Sequence, residues 1–116
     1  MTDVKKYTVY ILEENKDLLK NIKDSLLATN NFTVIGNSDS AVSCLNYLSN
    51  NTCDLLIIDL MLSNIDGIGV LNKLKEINNR AYNKVVCITS FTNPLICETL
   101  EKLNVSYCFK QPFDIN

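Results

Sequence analysis

Histidine is absent from the 116 residues of this chain. That absence removes the commonest general base and metal ligand and any phosphohistidine on the chain itself, so hydrolase triads and zinc-finger sites lose their usual parts. Glycine occurs three times and proline twice. This leaves no Pro- or Ser-rich linker, and no Gly-rich loop after the first predicted strand that could cradle a cofactor phosphate. Positive charge is not in excess, with 11 Lys and Arg against 13 Asp and Glu and a net charge of −2. A phosphate backbone demands a basic balance, so the chain is not expected to grip nucleic acid itself. Long hydrophobic runs are missing too. The longest aliphatic run, Leu55–Ile58, is too short to span a bilayer, and the N-terminal segment has no apolar signal-peptide core. The expectation is a soluble, cytoplasmic protein with no membrane partner.

The length bounds the chain to one small domain over residues 1–116. Its 47% hydrophobic and 21% charged content is that of a folded globular protein rather than a disordered or fibrous one. Five cysteines, Cys44, Cys53, Cys87, Cys97 and Cys108, are an odd number, none in CxxC spacing and each among apolar residues. Buried free thiols in a reducing compartment follow, rather than a disulfide or metal framework.

Apolar β-branched runs alternate with helix-period stretches along the whole sequence, the signature of βαβ units and a parallel sheet. Tyr7–Leu12, Thr33–Gly36, Leu55–Asp59, Lys84–Thr89 and Ser106–Lys110 read as five strands. LLIID lacks alternation, as a strand buried on both faces should. Leu19, Ile22 and Leu26 mark a first helix. Ala41, Cys44, Leu45 and Leu48 mark a second after the cap candidates Ser38 and Asp39. Val70, Leu74 and Ile77 mark a third, and Asn93–Pro94 caps a fourth carrying Ile96, Leu100 and Leu103. Only QPFDIN follows the fifth strand, whereas five βα units need about 120 residues or more. A final helix is therefore expected to be missing, and the sheet face it would cover is expected to meet another copy of the chain.

In an open α/β sheet the site is the crevice beyond the carboxyl ends of the strands. The first strand ends in Glu13–Glu14, the third in Asp59, the fourth in Thr89–Ser90 and the fifth in Lys110–Gln111–Pro112–Phe113. Three carboxylates, a hydroxyl and amine or amide donors would converge there. Clustered carboxylates repel, so they either bind a hard cation, Mg²⁺ being the natural one, or raise one of their own pKa values.

The runs VYILEEN, LLIIDLMLSNIDGIGVL, VVCITS and SYCFKQPFD resemble the receiver domain of two-component response regulators. The likeness covers the chain except for the absent last helix, and Asp59 followed by Asp66–Gly67 is its most specific segment. Within that family, LEENKDLL and SYCFKQPFDIN look closest to regulators of sporulation in endospore-forming bacteria. The resemblance implies a doubly wound, flavodoxin-like α/β fold with a five-stranded parallel sheet in the order 2-1-3-4-5. It implies a signalling switch rather than an enzyme. Asp59 is the phosphoacceptor position, Thr89 the hydroxyl that takes a phosphoryl oxygen, and the acidic pair, with Glu14 as direct ligand, holds Mg²⁺. The implied partners are a histidine kinase or phosphotransferase, a second copy of the chain, and DNA only through an effector domain absent from this chain. The family's output face would include Glu98, Glu101, Lys102 and Tyr107.

Departures from the family pattern bear on that switch. Glu13 and Glu14 are each one methylene longer than the usual Asp, and Mg²⁺ tolerates little misplacement of its ligands. Gln111 stands where the family has Lys before Pro112. Lys110 is one residue early, and strand alternation aims it at the opposite face unless a bulge re-aims it. Ser63, Ser90 and Cys108 replace the family's usual loop proline, small residue and aromatic reporter. The reading that follows is an atypical receiver, or pseudo-receiver, with impaired phosphorylation, which controls transcription through dimerisation or docking. The alternative is a working Mg²⁺-dependent phosphoacceptor with Glu14 as ligand and Lys110 re-aimed.

Overall fold

The structure, a computed structural model, describes residues 6–59, 67–89 and 107–110. The chain runs β1 (Tyr7–Leu12), α1 (Lys16–Thr29), β2 (Phe32–Ser38), α2 (Ala41–Asn50), β3 (Cys53–Asp59), α3 (Gly67–Ile77), β4 (Tyr82–Thr89) and β5 (Tyr107–Lys110). Every pairing is parallel and the five strands lie in the order β2-β1-β3-β4-β5. This is the doubly wound α/β sheet that the alternating pattern and the resemblance imply. The expected fourth helix, Asn93–Leu103, and the segment after Lys110 lie outside the described residues.

Alternation along the central strands divides the core between two faces. Tyr10, Leu12, Leu56 and Ile58 pack with Cys44 and Leu48 of α2 and with Val70, Leu71 and Leu74 of α3. Val9, Ile11 and Ile57 pack on the other face with Ile22 of α1, flanked by Leu18, Leu19 and Leu26. The stripe predicted for α1 is thus the stripe it buries. The stripe predicted for α3 is corrected at its end. Ile77 is 48% exposed, because the chain leaves the helix there and Ala81 closes the core in its place. At this turn Asn78 Nδ2 donates to the Leu48 carbonyl.

The caps also differ from expectation. Ser40, not Ser38 or Asp39, caps α2, since Ser40 is extended (φ −133°, ψ 147°) and its Oγ accepts from Ser43 N. Ser38 still belongs to β2 and donates its hydroxyl to the Ser40 carbonyl. Asn15 caps α1 through Oδ1, which accepts from Leu18 N at 3.0 Å. Asn30 ends that helix in the left-handed region (φ 57°), a conformation asparagine tolerates better than most residues.

Cys44, Cys53 and Cys87 are buried thiols that form no disulfide, and burial pushes the Cys44 and Cys53 thiols up to about 12. They behave as small core hydrophobes rather than nucleophiles. Cys97 and the side chain of Cys108 lie outside the described residues.

Gly36 is required by contact. The β1–β2 register slips between Val9 and Tyr10, leaving Ile35 unpaired and setting Tyr10 opposite Gly36. A Cβ at residue 36 would lie 2.9 Å from Tyr10 Cε2. That ring is buried and stacked on Tyr47 with centroids 4.9 Å apart, so it has nowhere to retreat. Gly36→Ala is expected to destabilise the fold by about 1–3 kcal/mol, the usual cost of overpacking, as a lower urea midpoint at unchanged slope. An unchanged midpoint would mean that the Tyr10–Tyr47 stack yields.

Candidate functional site

Sheet register builds the site. Leu12 pairs with Ile58, so one step further along both parallel strands Glu13 comes beside Asp59. Glu13 is tied to β2 by its backbone N–H, which donates to the Ser38 carbonyl at 3.0 Å. Apolar neighbours close around the strand ends, and Glu13 and Asp59 are the two buried charged residues among those described, at 1% and 7% exposure.

The two Glu13 oxygens have different surroundings. Oε2 accepts the Asn15 N–H at 3.1 Å, and Asn15 is itself fixed by capping α1. Oε1 is buried and accepts no hydrogen bond. The Asp59 carboxyl lies within hydrogen-bonding reach of the Glu13 side chain. Two carboxylates cannot donate to each other, so this contact is a hydrogen bond only when one of them holds a proton. Burial first, and the Asp59 carboxyl second, push Glu13 up to about 8. Both causes favour a proton held on the pair, which is the second of the two outcomes open to clustered acids.

A buried acceptor left without a partner costs about 1–3 kcal/mol. A divalent cation would compete with that proton for the carboxyl. Glu13 and Asp59 fit such an ion, because Mg²⁺ commonly takes one or two carboxylates and completes its octahedron with water and phosphate oxygens. The expected convergence of three carboxylates takes a smaller form. Among the described residues no group of three His, Cys, Asp or Glu side chains is placed to hold a metal ion. Glu14, half-buried, does not join Glu13 and Asp59 in one.

The remaining site residues are placed only in part. Thr89 ends β4, and Lys110 of β5 is its register partner across the strands, so the backbone brings the two positions together. Gln111, Ser63 and Ser90 lie outside the described residues, as do the output-face residues Glu98, Glu101 and Lys102. The sequence reading missed Asn15 as the anchor of Glu13, although an Asn just before an apolar helical period is an N-cap signal. It also missed Asp54. Thr8 N–H and Oγ1 both donate to Asp54 Oδ2 at 2.8 and 3.2 Å, and Asp54 N–H donates to Thr8 Oγ1 at 2.9 Å. This clasp joins β1 to β3 near the N-terminal ends of the two strands, remote from Asp59.

Comparison with known proteins agrees with this architecture. The family described as the response regulator receiver domain matches residues 9–116. The RcsB response regulator of Salmonella typhimurium, in a structure concerned with conformational dynamism for DNA interaction, is 20% identical with a TM-score of 0.82. That match covers 96% of this chain and 54% of the RcsB chain. The isolated RcsB receiver domain from Salmonella enterica serovar Typhimurium, solved with the phosphomimetic BeF₃⁻, gives the same score and identity over 96% of this chain and 81% of its own. A DNA-binding response regulator of the LuxR family from Staphylococcus aureus is 16% identical with a TM-score of 0.80, over 94% and 89% of the two chains. At such identities the likeness to these structures is one of fold.

Proposed function

The chain belongs to the receiver domain family of response regulators, and on that premise we propose that it is an atypical receiver in which Asp59 is the phosphoacceptor position and phosphoryl capture is impaired. The observation that carries the reading is the Glu13 carboxyl held against Asp59, an acid beside the residue that must receive a dianionic group. In the family reaction an Asp carboxylate oxygen attacks the phosphorus of a partner's phosphohistidine. The P–N bond breaks as the P–O bond forms, and the imidazole leaves with the electron pair. Preorganised positive charge normally lowers the barrier for such a transfer. Here Gln111 stands where the resemblance expects Lys, so one such charge is replaced by a neutral donor. Bound Mg²⁺ would supply charge neutralisation at the phosphoryl oxygens. This chain's own residues orient the acceptor: Glu13 and the β3 terminus hold Asp59, and Thr89 stands in register beside Lys110.

Output in this reading is control of transcription by a domain outside this chain, in the sporulation branch that the LEENKDLL and SYCFKQPFDIN segments resemble, within the cytoplasm. Self-association belongs to it as well. A groove of about 470 Å³, lined by Tyr7, Phe32, Leu55 and Val86 with Asp54, Asn83 and Lys84 at its polar side, leaves apolar surface open on the α1 side of the sheet.

A second reading, a working Mg²⁺-dependent phosphoacceptor served by a histidine kinase or phosphorelay, is favoured by one observation, the unpartnered Glu13 Oε1. Intact mass after incubation with Mg²⁺ and a small phosphoryl donor separates the two. The atypical receiver stays at its own mass, as does its Asp59→Ala variant. A single phosphoryl increment on the native chain that Asp59→Ala lacks establishes the working phosphoacceptor instead.

A further inference from the structure

We infer that Tyr10 is a positioning residue for the site at Asp59, its phenol holding, through Ser38, the strand end that carries Glu13. The role rests on the reading of Asp59 as the acceptor position.

A tyrosine in the middle of a central strand must find a partner for its hydroxyl once the ring is buried. Tyr10 is 3% exposed, and three features of the fold seat it. The β1–β2 register slips after Val9 and sets Tyr10 opposite Gly36. Gly36 leaves room where a Cβ would lie 2.9 Å from Tyr10 Cε2, and Tyr47 of α2 stacks on the ring with an interplanar angle of 19°. An aliphatic side chain would fill a core position of this kind without such provision, so what tyrosine adds is the hydroxyl. Ser38 stands two residues beyond Gly36 on β2, and the phenol lies within hydrogen-bonding reach of its side chain. The Ser38 hydroxyl donates to the Ser40 carbonyl at 3.3 Å, which leaves its lone pairs to accept from the phenol. The Ser38 carbonyl accepts the Glu13 N–H at 3.0 Å. One serine thus takes the phenol on its side chain and the Glu13 backbone on its carbonyl, two residues before Ser40 caps α2. With Asn15 N–H fixing Oε2, Glu13 is held at both ends, and Tyr10 steadies the backbone end from within the core.

The test is amide hydrogen exchange followed by NMR on the full chain, with protection of the Glu13 N–H expressed relative to the Ile11 N–H of the same strand so that a global loss of stability cancels. Tyr10→Phe keeps the ring and its stack and removes only the hydroxyl. It is expected to lower the ratio about fivefold or more, the order that one hydrogen bond contributes, and Ser38→Ala should match it. Tyr47→Leu removes the stack and leaves the phenol, and it should change the ratio less than twofold even where overall stability falls. Far-UV circular dichroism confirms that each variant is folded. An unchanged ratio in Tyr10→Phe, or an equal fall in Tyr47→Leu, would overturn the role of the phenol, and an unchanged ratio in Ser38→Ala would overturn the route through Ser38. These ratios do not depend on whether Asp59 takes up phosphate, so the phosphoacceptor readings stand or fall separately by intact mass.

Discussion

Gln111→Lys is expected to raise the rate of Asp59 phosphorylation by a small phosphoryl donor roughly 100-fold or more. At an effective dielectric of 20, a unit charge 4 Å from another contributes about 4 kcal/mol, of which a neutral amide recovers part. Deleting one preorganised donor at a centre of developing negative charge typically costs about 10²–10³ in rate. Restoring an ammonium at this position should return a gain of that order. The position is set by sequence, Gln111 standing between Lys110 and Pro112. Phosphorylation kinetics read by intact mass at fixed Mg²⁺ decide the matter. Equal rates for the native chain and Gln111→Lys would mean that the loss lies in the acidic pair or that Lys110 already fills the role.

The second large effect concerns pH. Glu13 loses its proton near 4.5 when the chain is unfolded and near 8 when it is folded. Between those values the folded state binds more protons than the unfolded state, so stability falls as pH rises through the window. The contribution is intact below about 4.5 and lost above about 8. Glu13→Gln is uncharged throughout and escapes this loss. In the absence of divalent cations its advantage over the native chain should grow from almost nothing at pH 4.5 to on the order of 2–4 kcal/mol at pH 9, a displacement of this size being worth about 5 kcal/mol before solvent screening reduces it. Urea unfolding of both proteins at several pH values tests this. Mg²⁺ at pH 8 should narrow the gap, because an ion that binds only the folded native site stabilises it by mass action. Parallel stability curves for the two proteins would show that Glu13 is not held as described.

What could be read from sequence, and what could not, follows the range of the interactions. Tyr7–Leu12 was legible to the residue, because a strand flanked by charged residues and buried in the middle of a sheet declares both ends. β2 and β3 begin earlier than the apolar pattern indicates, at Phe32 and Cys53, where pairing to β1 and β4 sets the boundary instead of hydrophobicity. The stripes on α1 and α2 follow from helical period alone, but the cap of α2 depends on which of Ser38, Asp39 and Ser40 leaves the sheet first. Asp59 and the acidic pair were legible as strand-end residues. That Glu13 turns toward Asp59 was not, since it depends on the Asn15 anchor and on parallel register between β1 and β3. The Thr8–Asp54 clasp, 46 residues apart in sequence, and the Gly36–Tyr10 contact are likewise products of register, which no local pattern contains.

The impaired phosphoryl capture proposed for Asp59 depends on Glu13 lying buried against it. Carbon-13 NMR of the Glu13 side-chain carboxyl, followed across pH on the native chain without divalent cations, observes that arrangement directly. A midpoint near 8, shifted downward by Mg²⁺ and by Asp59→Asn, is the predicted result. A midpoint near 4.5, unmoved by either change, would contradict it.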